Sequence, residues 1–156
     1  MIRFEINTHI YRPLRQVYDF VTTPENDFQW QYGTLTCARL TEGEMGPGTL
    51  FHAVGYFMGQ RVENTFEVTG FELNKIYAYK SLSGPMVFSM QYTFEIVAGK
   101  TEIRMSVQIH PGDLLASSVH IAEKKLKKQH RENLSLLKEL LEATHVERLP
   151  PSPARG

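Results

Sequence analysis

Ile2, Phe4, Ile6 and Ile10 alternate with Arg3, Glu5, Asn7 and His9, the two-residue period of a strand with one face buried. Pro13 suits a first helical turn, and Leu14, Val17, Tyr18 and Val21 then recur at the spacing of a short amphipathic helix. Thr23-Pro24-Glu25 predicts a second helix start, with Thr23 as cap, Pro24 at the first position and Glu25 near the positive end of the dipole. That helix carries Phe28 and Trp30 and stops before Gly33.

From Thr34 to Ile109 the pattern is strands and turns. Gly43 to Gly48 is a glycine- and proline-rich loop, and Gly59-Gln60 reads as a tight hairpin turn. That turn pairs Phe57 with Val62, Gly55 with Asn64 and Ala53 with Phe66. The Phe57, Val62 and Phe66 side is taken as inward, which brings Asn64 inside too. Met86, Phe88, Met90, Tyr92, Phe94 and Ile96 form one face of a later strand, and Ile103, Met105, Val107 and Ile109 one face of the next.

The last element is a long helix. Asp113, after the Pro111-Gly112 break, is the predicted N-cap of a helix running to about Ala143. One face carries Leu115, Val119, Ala122, Leu126, Gln129, Asn133, Leu137 and Leu140; Lys124, Lys127, Lys128, Arg131 and Lys138 lie opposite. The inward stripe is thus apolar at both ends and polar in the middle, with His130 on its flank. Buried amides cost free energy unless bonded. Gln129 and Asn133 therefore either face a cavity or bond backbone or a buried water.

One strand, two short helices, six strands and one long helix predict an α+β fold: an antiparallel sheet of about seven strands whose apolar face only the last helix is long enough to cover. A strongly curved sheet around one helix leaves a gap, and the gap becomes a pocket.

Composition narrows the choice of partner. A chain of 156 residues forms one domain and buries about two-thirds of its unfolded surface. The formal net charge of zero argues against nucleic acid held through its phosphates. The run Lys124, Lys125, Lys127 and Lys128 reads first as a solvated helix face and second as a contact for an anionic surface or a partner. A single cysteine, Cys37, leaves no internal disulfide and no cysteine-rich metal site. With no signal-peptide pattern and no apolar run of membrane-spanning length, the expectation is a soluble, cytoplasmic protein, not an integral membrane one. Residues 144–156, rich in proline at their end, are expected to form a disordered tail after a domain at 1–143.

Several stretches resemble a known family. Arg12-Pro13, Val17-Tyr18-Asp19-Phe20-Val21, Pro24-Glu25 and Trp30 are similar to the opening of the polyketide cyclase/dehydrase group of the START-like (SRPBCC) superfamily. Gly46-Pro47-Gly48-Thr49, Glu67-Val68-Thr69-Gly70-Phe71-Glu72 and Ser83-Gly84-Pro85 continue the similarity in order, over about residues 1–143. The resemblance implies a helix-grip domain with a deep pocket between sheet and long helix. Its relatives bind lipids, sterols, quinones, plant hormones or aromatic polyketides, and some turn them over. No catalytic motif is shared across the superfamily, so no catalytic residue is carried over, and no cofactor is implied.

In such a pocket Phe51, Phe57, Phe66, Phe88, Met90, Tyr92 and Met105 would supply contact area, methionine because it repacks around varied shapes. Trp30 would either wall the mouth or belong to the core. Asn64, Gln129, His130 and Asn133 would meet polar groups of the ligand. His9, His52 and His110 fall on outward faces, His120 and His145 look peripheral, and no His-x-His, HExxH or paired-carboxylate spacing supports a metal. The inward strand positions carry no carboxylate. Binding or carriage of a small, mainly hydrophobic molecule (lipid, quinone or polyketide-like) is the leading expectation. A cyclase/dehydratase using His130 or Tyr92 as proton donor or acceptor is the alternative. A third is an accessory protein docking through its lysine face.

Overall fold

The computed structural model describes residues 1–57, 59–110 and 119–147. Strand β1 (Ile2–Ile10) leads into helix α1 (Leu14–Val21) and a 3-10 helix (Pro24–Gln29). Then come β2 (Thr34–Arg39), β3 (Leu50–Phe57), β4 (Gln60–Glu72), β5 (Ile76–Ser83), β6 (Val87–Val97), β7 (Lys100–His110) and helix α2 (Val119–Glu147). The seven strands form one sheet in the order β1-β7-β6-β5-β4-β3-β2, with every neighbouring pair antiparallel. From β2 to β7 the sheet is thus a run of sequential hairpins. Only β1 joins out of order, with Ile2 opposite Ile109 and Ile10 opposite Thr101.

Strand alternation sorts the side chains as the sequence predicts. Ile2, Ile10, Ile103, Met105 and Val107 are buried on the concave face, and α2 lays Ala122, Leu126, Leu134, Leu137 and Leu141 across it. The helix stripe departs from expectation at its ends. Val119 is exposed and Leu140 half-buried, while Leu134 and Leu141 point inward. Steps of mostly four residues overshoot the 3.6-residue turn, so the contact line winds slowly around the helix. Asp113 and Leu115 lie outside the described residues. The helix continues past Ala143 to Glu147, and the remainder of the expected tail, 148–156, is also outside them.

Four local expectations are corrected. The β3–β4 hairpin pairs Phe57 with Gln60, Gly55 with Val62, Ala53 with Asn64 and Phe51 with Phe66, two residues from the predicted register. A shift of two preserves the face of every side chain, so Asn64 stays inside. The segment after α1 is a 3-10 helix, and Thr23 does not cap it: its hydroxyl donates to the Asp19 carbonyl at 2.7 Å, bonding back onto α1. Phe28 on that segment is exposed. Ile96 is 65% exposed, because β6 there runs past the core toward its turn at Ala98-Gly99.

A close backbone contact seats the loop that follows the 3-10 helix. The Tyr56 N–H donates to the Gly33 carbonyl at 2.7 Å. Gly33 has φ +88°, and a Cβ there would lie 2.6 Å from the Tyr56 carbonyl oxygen. A Cβ on Gly55 would lie 2.2 Å from the Gly33 carbonyl. Side chains at either position would hold the loop off the sheet.

Candidate ligand-binding site

Between the inner face of β3–β6, α2 and the loop at Tyr32–Thr34 lies a cavity of about 170 Å³. Phe57, Phe66, Phe88 and Met90 line it from the sheet, joined by Asn64 on β4 and by Gln129, His130 and Asn133 on α2. Trp30, Phe51, Tyr92 and Met105 do not line it. Each is 1% exposed and packs behind the wall. Phe51 stacks on Phe66 at 5.3 Å, Tyr92 on Tyr77 at 5.7 Å, and Trp30 meets Tyr92 edge-on at 6.4 Å. Their bulk belongs to the core that holds the wall rigid. The cavity also reaches Met86 and Ile109, from the faces the pattern predicts as inward, and Tyr79, which the pattern did not single out.

The helix amides turn to the backbone. Tyr32 N–H donates to Asn133 Oδ1 at 2.9 Å, and Gln129 Nε2 donates to the Tyr32 carbonyl at 2.9 Å. Two side chains one helical turn apart thus grip both backbone polar atoms of one residue, and Asn133 does so while buried. The side chain of Tyr32 stands 77% exposed at the rim. This clamp fixes the loop as one wall of the cavity.

His130 is partly committed as well. Its Nδ1 lies 2.8 Å from the Leu126 carbonyl, which can only accept, so the neutral ring carries its proton on Nδ1 and its lone pair on Nε2. Burial holds its pKa below the ordinary value against the opposing effect of that bond. The ring meets Phe4 edge-on at 5.4 Å. Among the other histidines, His9 pairs with Glu102 at 3.1 Å and His52 with Glu63 at 3.0 Å.

Buried polar atoms without partners gather here. Asn64 Oδ1 makes no hydrogen bond and lies against Gly84, where a Cβ would come within 2.0 Å of it. Trp30 Nε1 is likewise buried and unbonded, and the Tyr92 hydroxyl, buried too, interacts with that of Tyr79 without reaching hydrogen-bond geometry. The most consequential is Asp27. It lines the cavity, is 7% exposed, and its Oδ1 has no partner. Burial, reinforced by Glu25, raises its pKa well above the carboxylate range.

Asp27 escaped the sequence reading because it comes from the 3-10 helix, not from a strand. With three residues per turn, Pro24, Asp27 and Trp30 fall on one side, and all three are buried. An α-helical reading spreads them around the axis. The three-residue spacing of Pro24, Asp27 and Trp30 was the available signal.

Among the described residues no group of three His, Cys, Asp or Glu side chains could hold a metal ion, and no helix is long and apolar enough to cross a membrane.

A curved antiparallel sheet gripping one long helix over a cavity defines the helix-grip class. Solved structures share this fold: the protein TTHA0849 from Thermus thermophilus (TM-score 0.74, 15% identity, 91% of this chain and 98% of that one). Ara h 8.0201 aligns at TM-score 0.68 and 14% identity over 90% of this chain and 97% of its own. The protein DR_A0006 from Deinococcus radiodurans aligns at 0.69 and 16%, over 92% and 99%. No curated protein is similar in sequence at a significant level. The family profile "Polyketide cyclase / dehydrase and lipid transport" matches residues 1–142, and the chain belongs to that START-like family. The family description spans both turnover and carriage of largely apolar molecules.

Proposed function

We propose that this protein binds or carries a compact, mainly hydrophobic molecule bearing at least one polar group, in the cavity between sheet and α2. The observation that carries this reading is the cavity itself: aromatic and methionine walls with the polar residues Asp27 and Asn64 set into them. Its size favours a particular ligand shape. A void of about 150 Å³ lined by apolar side chains accommodates benzene, so 170 Å³ suits a molecule of one or two rings. A long acyl chain or a sterol would require the Tyr32 clamp to open.

Native mass spectrometry of the purified full chain, with denaturing extraction of whatever it carries, tests the proposal. A co-purifying ring-sized apolar compound supports it. An apo mass together with no thermal shift from a panel of small aromatic compounds refutes it.

A second reading, a cyclase or dehydratase, is favoured by one feature. A carboxyl held toward its neutral form and an imidazole with a free Nε2 lone pair line the same cavity. Loss of water from a β-hydroxy ketone needs a base at carbon and an acid at the departing oxygen. Tyr92, buried behind the wall, is not positioned for either role. Turnover of an aromatic β-hydroxy ketone that falls at least a hundredfold in both Asp27→Leu and His130→Phe supports this reading; binding without turnover leaves the carrier.

A further inference from the structure

We infer that Asp27 is a neutral carboxylic acid whose proton is donated to a ligand oxygen, so that the cavity selects ring compounds bearing a carbonyl over the matching hydrocarbon and over the matching amine. The inference deepens the binding reading above and rests on it.

The argument is first geometric. Asp27 is more than nine-tenths buried, lines the cavity, and leaves Oδ1 unbonded. The ionisable groups close enough to act on it or feel its charge are Glu25 on its own 3-10 helix, Cys37 on β2, Tyr77 and Tyr79 on β5, and Tyr92 on β6. His130 lines the same cavity from α2 and is itself held toward neutrality by burial. No cation stands among these groups. An unpaired buried carboxylate is the most expensive state such a site can adopt, and taking up a proton removes that cost. Burial and Glu25 both act in that direction.

A neutral acid changes what the pocket recognises. A carboxylate only accepts hydrogen bonds and would favour an ammonium or hydroxyl; a carboxylic acid offers one O–H donor and favours a carbonyl. A carbonyl ligand satisfies this donor without either partner carrying charge into the apolar site. A hydrocarbon would leave the donor unmet, and a site built to hydrogen-bond an oxygen discriminates against its absence. An ammonium would itself have to be desolvated among phenyl and phenol rings beside a neutral group.

The test uses acetophenone, ethylbenzene and 1-phenylethylamine, which share one ring and a two-carbon substituent. Each is titrated into the full chain and followed by amide chemical shifts, for wild type, Asp27→Asn and Asp27→Leu. Comparing affinity ratios between variants cancels the differing hydrophobicity of the probes. The acetophenone-to-ethylbenzene ratio is expected to fall about tenfold in Asp27→Leu. It should be largely kept in Asp27→Asn, whose amide N–H still donates. Difference infrared spectroscopy should show a protonated carboxyl band at neutral pH that Asp27→Asn removes. Both probes binding with a ratio unchanged in Asp27→Leu overturns the inference and leaves the pocket standing. Tightest binding of 1-phenylethylamine, lost in Asp27→Asn, overturns it in favour of an ionised Asp27. Binding of none of the three refutes the pocket reading and the inference together. Because Asp27→Leu puts an apolar side chain into an apolar site and Asp27→Asn is isosteric, at least one folded variant is expected for the comparison.

Discussion

Replacing Asn133 by leucine keeps the branching and heavy-atom count of the buried side chain while removing the acceptor for Tyr32 N–H, a bond of 2.9 Å. A hydrogen bond of this kind contributes about 1 kcal/mol net, and a donor left wholly buried would cost up to about 3 kcal/mol. Tyr32 is largely exposed, so water can reach the freed N–H and the lower figure applies. For a chain of this size that corresponds to a Tm about 3 °C lower. The local effect is more diagnostic. If the clamp holds the loop, the Tyr32 amide should exchange with solvent about fivefold faster in Asn133→Leu, the ratio that about 1 kcal/mol sets. Gln129→Ala removes the other half of the clamp at a more exposed site and should cost about 0.5 kcal/mol. Since both bonds hold one residue, losing either weakens the other, and the double variant should cost less than the sum of the two, by up to about 0.5 kcal/mol. Urea titration gives the cycle, and hydrogen exchange by NMR gives the local opening. Unchanged exchange at Tyr32 in both single variants, with strictly additive stabilities, would refute the clamp.

Leu137→Ala, at a position with no exposed surface, should destabilise by about 2–5 kcal/mol through lost burial and a residual void, measured by urea denaturation. Gly55→Ala should be about as damaging despite adding one methyl, because its Cβ would meet the Gly33 carbonyl at 2.2 Å; Gly46→Ala, with open space around it, is the control. Asp27 binds its proton more tightly folded than unfolded, so stability should fall as pH rises above the ordinary carboxyl value of 3.8, and Asp27→Asn should remove that slope. His130 binds its proton more weakly folded than unfolded, so stability should fall as pH drops below 6.5, a slope His130→Phe should abolish; a rise in the same range would contradict its burial as a neutral ring.

Alternation on β1, β7 and β6 as far as Phe94 was legible, since one buried face imposes a period of two. The cover helix was legible for the same reason at a period of 3.6. Register in the β3–β4 hairpin was not. Gly59 suits either end of a two-residue turn, and a slip of two leaves the face pattern unchanged. Which inward residues touch the cavity was legible only in part. Phe57, Phe66, Phe88 and Met90 differ from Phe51 and Met105 by depth, and depth follows from sheet curvature, which no residue encodes alone. Gln129 and Asn133 stood out as amides on the inward stripe of the helix, of which only Asn133 is buried, but their partner is the backbone of Tyr32, whose position depends on the Gly33–Gly55 contact far away in sequence. Asp27 was hidden by the choice of helical period.

The strand order sets a timetable for synthesis. Each strand from β2 to β7 meets its neighbour within a hairpin, but Ile2 must wait for Ile109 and Ile10 for Thr101. At about 5–20 residues per second, a gap of roughly a hundred residues is a delay of about 5–20 s on the ribosome. Throughout that interval β1 holds Ile2, Phe4, Ile6 and Ile10 without a sheet to cover them, a ready template for pairing with another nascent chain. Arg3, Glu5, Asn7 and His9, whose side chains mark the solvent face of the finished sheet, also keep the waiting strand hydrated, so the alternation that fixes the fold protects the chain before the fold exists.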